Sequence, residues 1–482
     1  MSRLPVAEDD SVDLLFVDVE AEGRPAQCVR VEHGTVTYAG HPDELPPGRG
    51  SRSLVEIDGR GGALLPGLHD HHLHLLAMAA LEQSISCGPP EVTSRSELER
   101  CLRGAAAQVP PGTWVRFVGH DETVVGPLDA PSLDALLGPV SDRPVRVQHR
   151  SGHQWTLNSS ALFQVRRELG DAAVEALGPD ARRGVLTGAD AGLRAAWGSD
   201  GWPPLEGIGC ELARRGVTGV TDATVSTTAE EVRAFNAAQQ SGALPQQVCV
   251  LGWAAPEVDG DRLVRGPAKV VLQESALPSL DELADAVFAA GARGVAVHCV
   301  SREALVLAAA ALGRAGGGPH RIEHASVAPP EVVSLVAALP VTVVTQPGFV
   351  IAHGDRYLAE VDADDRPWLY RLAGWQAAGV PLAGSSDAPF GPLDPWAAMR
   401  AAVERHTAAG ATLGPAEALS PEAALGLYLG PLEDPAGPRR RVVAGEPADL
   451  CLLRTGWTEA RASLDAGLVR ATYCRGVPVY GG

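Results

Sequence analysis

The chain has 482 residues, 45% of them hydrophobic and 21% charged, which is ordinary for a globular protein and enough for a large core and more than one domain. Its formal charge of −19 is spread along the chain and argues against nucleic acid or an anionic membrane as the main partner. No apolar run approaches bilayer-spanning length, and Met1-Ser2-Arg3 followed by Glu8-Asp9-Asp10 is no signal peptide, so a cytoplasmic location and a small-molecule partner are expected.

Residues 1–11 read as an acidic tail. From Val12 to about Glu56, short alternating runs such as Asp13-Leu14-Leu15-Phe16-Val17 and Gln27-Cys28-Val29-Arg30-Val31 are separated by Gly, Pro and Asp, the mark of β-hairpins. They lead into Leu65-Pro66-Gly67-Leu68-His69-Asp70-His71-His72-Leu73-His74, an apolar run that closes on a His-x-His pair. Alternate side chains of a strand share a face, so His72 and His74 point the same way, about 7 Å apart, as a metal half-site would require. His71 and Leu73 fall on the other face, and Asp70, on the face of His72, is a candidate to orient it.

An amphipathic run follows to about Cys87. Residues 88–202 then lose any regular alternation and read as an insertion with its own core. From Glu206 strand-length runs alternate with helix-period segments: Val217–Asp222, Gln247–Leu251, Ala268–Leu272, Val295–His298, Arg321–His324, Val341–Thr345 and Pro381–Asp387, with helical periods at 279–291, 302–314, 329–338 and 393–408. With the strand before His72 this makes eight β-α units, the number in a closed parallel barrel. A doubly wound open sheet competes, but no Gly-rich nucleotide loop follows an early strand. After Leu429 the β rhythm returns, with Asp449–Leu453 and Leu468–Tyr473. The expected architecture is therefore α/β, a TIM (β/α)8 barrel from residues 65–87 and 203–431. A small β-sandwich comes from both chain ends, 1–64 and 432–482, and the insertion 88–202 lies over the barrel mouth.

In a parallel barrel functional groups sit at the carboxyl ends of the strands. Those positions hold His72, His74, Lys269, His298, His324 and Asp387. Lys269 is the sole lysine among 40 basic residues, all others being arginine. A lysine kept in such a composition points to a need for a primary amine, which guanidinium cannot imitate. The eight cysteines are scattered without a Cys-x-x-Cys and read as reduced, mostly buried thiols, and Cys299 is out of phase with His298.

Taken in order, Pro66–His74, Gly152-His153-Gln154-Trp155-Thr156-Leu157-Asn158-Ser159, His298-Cys299-Val300-Ser301-Arg302-Glu303-Ala304, Arg321–Ala325, Gly384-Ser385-Ser386-Asp387-Ala388-Pro389 and Gly445–Leu450 resemble the amidohydrolase superfamily, in its YtcJ-like branch with the N-substituted formamide deformylases. The resemblance covers nearly the whole chain and implies two divalent metal ions, most often zinc. His72, His74 and Asp387 would hold one metal and His298 and His324 the other, bridged by a carbamate on Lys269. It also implies hydrolysis of a non-peptide C–N bond (amide, N-acyl or N-formyl) by a metal-bridging hydroxide, with Asp387 as proton shuttle and His153 polarising the carbonyl. Substrate contacts are expected from His153, Arg150, Gln346, Arg356 and Tyr357, the last three in or beside a loop at 347–357, with Glu122 a weaker candidate. A homodimer is a family-level expectation. A deaminase or cyclic amide hydrolase would use the same centre, although deaminases more often lack the bridging lysine; a non-catalytic scaffold would typically have lost ligands.

Overall fold

The structure is a computed structural model that describes residues 12–47, 53–152, 154–187, 202–225, 227–253, 255, 262–274 and 276–481. Chain contacts divide it into two compact units, Met1–Leu75 with Pro204–Gly482, and Leu76–Pro203. No helix among the described residues is long and apolar enough to cross a membrane. All eight cysteines are free, six of them buried.

Both chain ends enter one eight-stranded sheet in the first unit. Its order is Val477–Tyr480, Val469–Cys474, Leu450–Leu453, Ala63–Pro66, Asp13–Ala21, Arg24–Glu32 and Thr35–Gly40, with Leu54–Asp58 paired parallel to Asp13–Ala21. Hairpins turn on Glu22-Gly23, His33-Gly34 and Arg475-Gly476, where both residues of each pair have positive φ and glycine takes the second position without strain. The two ends meet where Leu64 stands opposite Leu452 and Pro66 opposite Leu450. Hydrogen bonding thus runs unbroken where two separately bonded layers were expected. Yet Phe16 and Tyr473, three strands apart and so about 14 Å apart on a flat sheet, touch edge to face at 5.1 Å. The sheet therefore curls over one apolar core drawn from both ends, including Leu14, Val29, Val442 and Leu452.

From Pro66 the chain passes through Gly67 into the first of a series of parallel strands. Leu68–Leu73, Val217–Asp222, Gln247–Val250 and Leu263–Arg265 form one sheet; Ala268–Val271, Val295–Cys299, His320–His324, Val341–Thr345 and Leu382–Gly384 form a second. The sheets part at Gly266-Pro267, just before Ala268–Leu272, which the sequence reads as the fourth strand. Pro267 has no N–H to donate, so Leu263–Arg265 pairs back to Gln247–Val250 and Ala268–Val271 pairs forward to Val295–Cys299. At the other edges the Asp387 N–H donates to the His72 carbonyl (2.7 Å) and the His74 N–H to the Ala388 carbonyl (2.8 Å).

Helices follow the strands where the 3.6-residue period places them: Leu280–Ala290, Arg302–Ala315, Pro330–Ala337 and Pro395–Glu404. Ser279, Ser301 and Asp394 cap three of them by accepting N–H groups of the first turn. Their apolar faces, with Leu283, Leu305, Ala308 and Val333, cover Val297, Ile322 and Val343 of the second sheet.

The second unit carries a five-stranded sheet from Ile85–Ser86 to Val185–Thr187, with helices such as Arg95–Ala107 and Ala130–Leu137 over its own apolar core. Ile85 pairs with Phe117, so residues 76–87, read from sequence with the parallel strands, belong to this unit.

Gly67 joins the curled sheet to the first parallel strand, and a Cβ there would lie 2.2–2.3 Å from the buried Thr218 side chain. Gly67→Ala is expected to destabilise the protein by about 1–3 kcal/mol through overpacking. Thermal and urea unfolding should both show a lowered midpoint, and wild-type midpoints would mean that this joint has slack.

Candidate metal centre

Five of the six expected side chains lie at or just beyond the carboxyl ends of the parallel strands, and Lys269, the second residue of Ala268–Val271, reaches them, so that all six form one connected cluster. His72 and His74 share a strand face, with ring centroids 5.6 Å apart. The His72 ring is 4.9 Å from that of His324, which is 4.3 Å from that of His298. Lys269 Nζ lies 3.3 Å from His72 Nε2. Asp387 Oδ1 is 3.2 Å from His74 Nε2 and 3.5 Å from His72 Nε2, and its Oδ2 is 3.9 Å from His324 Nδ1. Two ligand-bearing residues, His324 (φ 69°) and Asp387 (φ 55°), have left-handed backbones that L-residues rarely adopt. On a regular strand Glu323 and His324 would face opposite ways; the left-handed turn at His324 breaks that alternation, and both side chains reach His72.

The cluster is held by buried polar partners. His72 Nδ1 donates to the Glu323 carboxylate. Arg321 grips Glu323 with Nε (2.8 Å) and Nη2 (3.1 Å) and donates to the His71 carbonyl at 2.6 Å. Burial alone would raise the Glu323 carboxyl, but Arg321 and Lys269 outweigh it and hold it below its ordinary value. With the proton fixed on Nδ1, the lone pair of His72 Nε2 faces Lys269 and Asp387. His324 is fixed in the same manner: Gln346 Nε2 donates to Ser385 Oγ (3.0 Å), which turns Gln346 Oε1 toward His324 Nδ1–H at 2.9 Å. Burial, reinforced for His72 by Lys269 and for His324 by His298, drives both imidazoles well below their ordinary pKa, so both are neutral ligand donors. Burial likewise pushes Lys269 down to about 8.

Several sequence expectations are corrected here. Asp70 accepts the backbone N–H groups of His72 (3.2 Å) and Ser386 (3.0 Å), tying the first strand to the last, and Glu323 rather than Asp70 orients the His72 ring. Gln346 is fully buried with both amide ends used on His324 and Ser385, so it positions a ligand and does not face substrate. The 347–357 stretch is no loop: Phe349–Glu360 is a helix, with Phe349, His353 and Tyr357 at four-residue spacing on one face. Arg356 lies over the Tyr357 ring and 3.8 Å from Glu360, and Tyr357 stacks on Tyr370. Arg150 pairs with Asp121 at 3.2 Å and Glu122 with His149, both within the second unit. His153 lies outside the described residues. Cys299 is buried, its thiol beside the Val297 carbonyl.

Glu323 is the functional residue that the sequence reading passed over. Its signal was present: Arg321 and Glu323 are opposite charges two apart in a strand that is buried throughout, and such charges persist only when paired.

The donor set fits a divalent cation. His72, His324 and Asp387 each offer a ligand atom within 4.8 Å of one another, and Asp387 Oδ1 is buried with no hydrogen-bond donor. A buried carboxylate oxygen without a donor, 3.2 Å from His74 Nε2 and 3.5 Å from His72 Nε2, is part of an N/O donor set that a metal ion would satisfy.

A sequence profile described as "Amidohydrolase family" matches residues 55–480. An N-substituted formamide deformylase of Arthrobacter pascens is 25% identical, over 86% of this chain and 88% of that protein. The amidohydrolase-type protein YtcJ of Bacillus subtilis (strain 168) is also 25% identical, over 90% of this chain and 91% of its own length. In fold, the chain is similar to an uncharacterized metal-dependent hydrolase from Pyrococcus furiosus, with a TM-score of 0.67 at 20% identity, covering 92% of this chain and 99% of that one.

Glu323→Gln would leave His72 free to rotate and Arg321 without its counter-charge. Affinity for a divalent cation is expected to fall about 10–100-fold, read by titration against a competing chelator. Wild-type affinity in that variant would remove Glu323 from the orienting role.

Proposed function

The chain belongs to the amidohydrolase family, and on that premise we propose that it is a metal-dependent hydrolase of a non-peptide C–N bond in a small amide, N-acyl or N-formyl compound. The observation that carries this reading is the convergence of four imidazoles, a carboxylate and the chain's single lysine at the strand ends. The relative named for N-substituted formamides makes N-formyl amines the first class to try.

The two parallel sheets are read as one (β/α)8 barrel, split only by the Pro267 break and drawn together by the Asp387–His72 backbone bond. His72, His74 and Asp387 are assigned to one divalent ion, zinc by family expectation, and His298 and His324 to a second. A carbamate formed on Lys269 would help to hold both. A carbamate forms from a neutral amine, and Lys269 has the desolvated environment that favours one. Cations bound there would render water nucleophilic near neutral pH and polarise the scissile carbonyl.

The remaining steps belong to side chains. Glu323 and Gln346 keep His72 and His324 in one tautomer throughout, so neither ring competes for the reacting proton. Asp387 takes the proton of the attacking water and returns it to the departing nitrogen. His153 is assigned the carbonyl oxygen, and Arg150, Arg356 and Tyr357 the outer parts of the substrate. The buried knot of Arg321 and Glu323 excludes water beneath the ligands.

Metal content per chain on protein purified without chelators, paired with intact mass under non-denaturing conditions, tests the centre. Two metals with the added mass of one CO₂ are expected. One metal without it would favour a deaminase or mononuclear deacylase, and none after zinc and bicarbonate a scaffold. Lys269→Ala should lose the bridged pair and all activity, with partial rescue by a short-chain carboxylate. Asp387→Asn should keep at least one metal and lose turnover; wild-type turnover in either variant would sink its assignment.

A further inference from the structure

Two of the six clustered side chains lack the fixing that His72 and His324 have. Glu323 holds the ring of His72, and Gln346 holds that of His324. Among the described residues, neither His74 nor Asp387 has a side-chain hydrogen bond to a residue outside the cluster. His74 Nε2 faces Asp387 Oδ1 at 3.2 Å, and that oxygen receives no donor. Their placement therefore comes from the backbone around them, and for both that backbone includes one turn, residues 386–391.

That turn is fastened on two sides. Toward the first parallel strand, the Ser386 N–H donates to Asp70 (3.0 Å), the Asp387 N–H to the His72 carbonyl, and the Ala388 carbonyl accepts the His74 N–H. The turn then closes on itself: the Asp387 carbonyl accepts the N–H groups of Phe390 (2.8 Å) and Gly391 (3.3 Å), with Asp387 at φ 55°. A left-handed aspartate persists where its surroundings over-determine it. On the far side the restraint comes from the helix Phe349–Glu360. His353 Nε2 donates to the Phe390 carbonyl at 3.0 Å, and among the described residues no other group outside the turn bonds to residues 389–391. A carbonyl only accepts, so the ring proton is on Nε2. Burial lowers the His353 pKa below its ordinary value, which keeps the ring neutral. Phe349 and Tyr357 flank that ring, with centroids 4.9 and 6.0 Å away. Helix and turn are in close contact, since a Cβ on Gly391 would lie 2.6 Å from Phe349 Cε1 and 2.2 Å from the Ser386 carbonyl oxygen. The Phe390 ring in turn meets His74 edge to face at 5.7 Å.

We propose that His353 is a positioning residue for Asp387 and His74: by holding the Phe390 carbonyl it closes the turn on which Asp387 stands and seats the Phe390 ring against His74. The proposal rests on the reading of Asp387 as metal ligand and proton shuttle. His353 acts on the turn, and its role needs no contact with substrate.

The test uses the full chain, stripped of metal and titrated with Zn²⁺ against a competing chelator, and with Co²⁺, whose visible absorption reports the ligand geometry around the ion. His353→Phe keeps an aromatic ring between Phe349 and Tyr357 and removes the donor; His353→Gln restores an N–H at similar reach. In His353→Phe one of the two ions is expected to bind about tenfold more weakly, with a changed Co²⁺ spectrum, while the other ion keeps its wild-type affinity. His353→Gln should recover the affinity and the spectrum. A general packing defect would weaken both ions alike and persist in His353→Gln, and that result overturns the proposal. Wild-type affinity and spectrum in His353→Phe overturn it as well. Gly391→Ala displaces the same turn without altering His353 and should show the same one-ion loss, so it carries the comparison where His353→Phe fails to fold. With a substrate in hand, kcat should fall about tenfold in His353→Phe with KM little changed. If the wild type binds ions but hydrolyses nothing, the hydrolase reading fails and the ion titration still decides His353. If it binds a single ion, the same comparison on that ion decides. No ion bound by the wild type overturns the proposal together with the metal-centre reading.

Discussion

A cluster of ionisable side chains buried at the ends of parallel strands can exist only if each is neutralised or paired, and this constraint shapes everything around the metal centre. The ion pair of Arg321 with Glu323 is its keystone. It places a carboxylate under His72, anchors the loop-ward carbonyl of His71, and offsets part of the desolvation that Lys269 suffers in the same interior. Without that pair His72 would be a buried base with free choice of tautomer. With it, lone pairs are directed inward before any cation arrives, which is what preorganisation means for a metal site.

The same logic bears on the backbone strain beside the cluster. Of the twelve non-glycine residues with positive φ among the described residues, six lie in the strands and turns of the curled sheet, while His324, Ala325 and Asp387 lie at or next to the strand ends that carry the cluster, with Tyr370 bonded to Ser326 beside them. Those beside the cluster are over-determined by neighbours: Gln346 on His324, the His72 carbonyl on Asp387, Arg405 and Ser326 on Tyr370. Strain persists where surrounding bonds leave no alternative, and here those bonds converge on groups that would touch metal or substrate.

Much of this was legible in the sequence, for identifiable reasons. The parallel strands were legible as short apolar runs separated by capped helical periods such as the one that Ser279 and Glu282 open. The clustering of the six side chains was legible because titratable residues in and at the ends of strands violate the apolar pattern around them. Three features were not. Gln346 looked like a loop residue because polarity alone does not reveal that both ends of an amide are already bonded. Helix Phe349–Glu360 was hidden by Gly354 and the polar run Asp355-Arg356, although its aromatic residues keep helical spacing. Tyr370 came from a stretch without periodicity and Arg405 from the end of the helical period 393–408, and only three-dimensional contacts show that this buried guanidinium serves the distant Leu369 and Tyr370 carbonyls.

The sheet shared by the two chain ends has a consequence for how the protein is made. The strand Ala63–Pro66 leads directly to His72, yet its neighbour Leu450–Leu453 is synthesised nearly 400 residues later. At roughly 5–20 residues per second, that partner emerges some 20–80 s after the strand needs it. Throughout that interval an apolar strand edge is exposed on the nascent chain, the kind of edge that pairs with other chains. The sheet from which the His72 strand departs is therefore completed only long after that strand is made, and a ribosome stalled before Leu450–Leu453 leaves a chain whose first cluster-bearing strand hangs from an unfinished sheet.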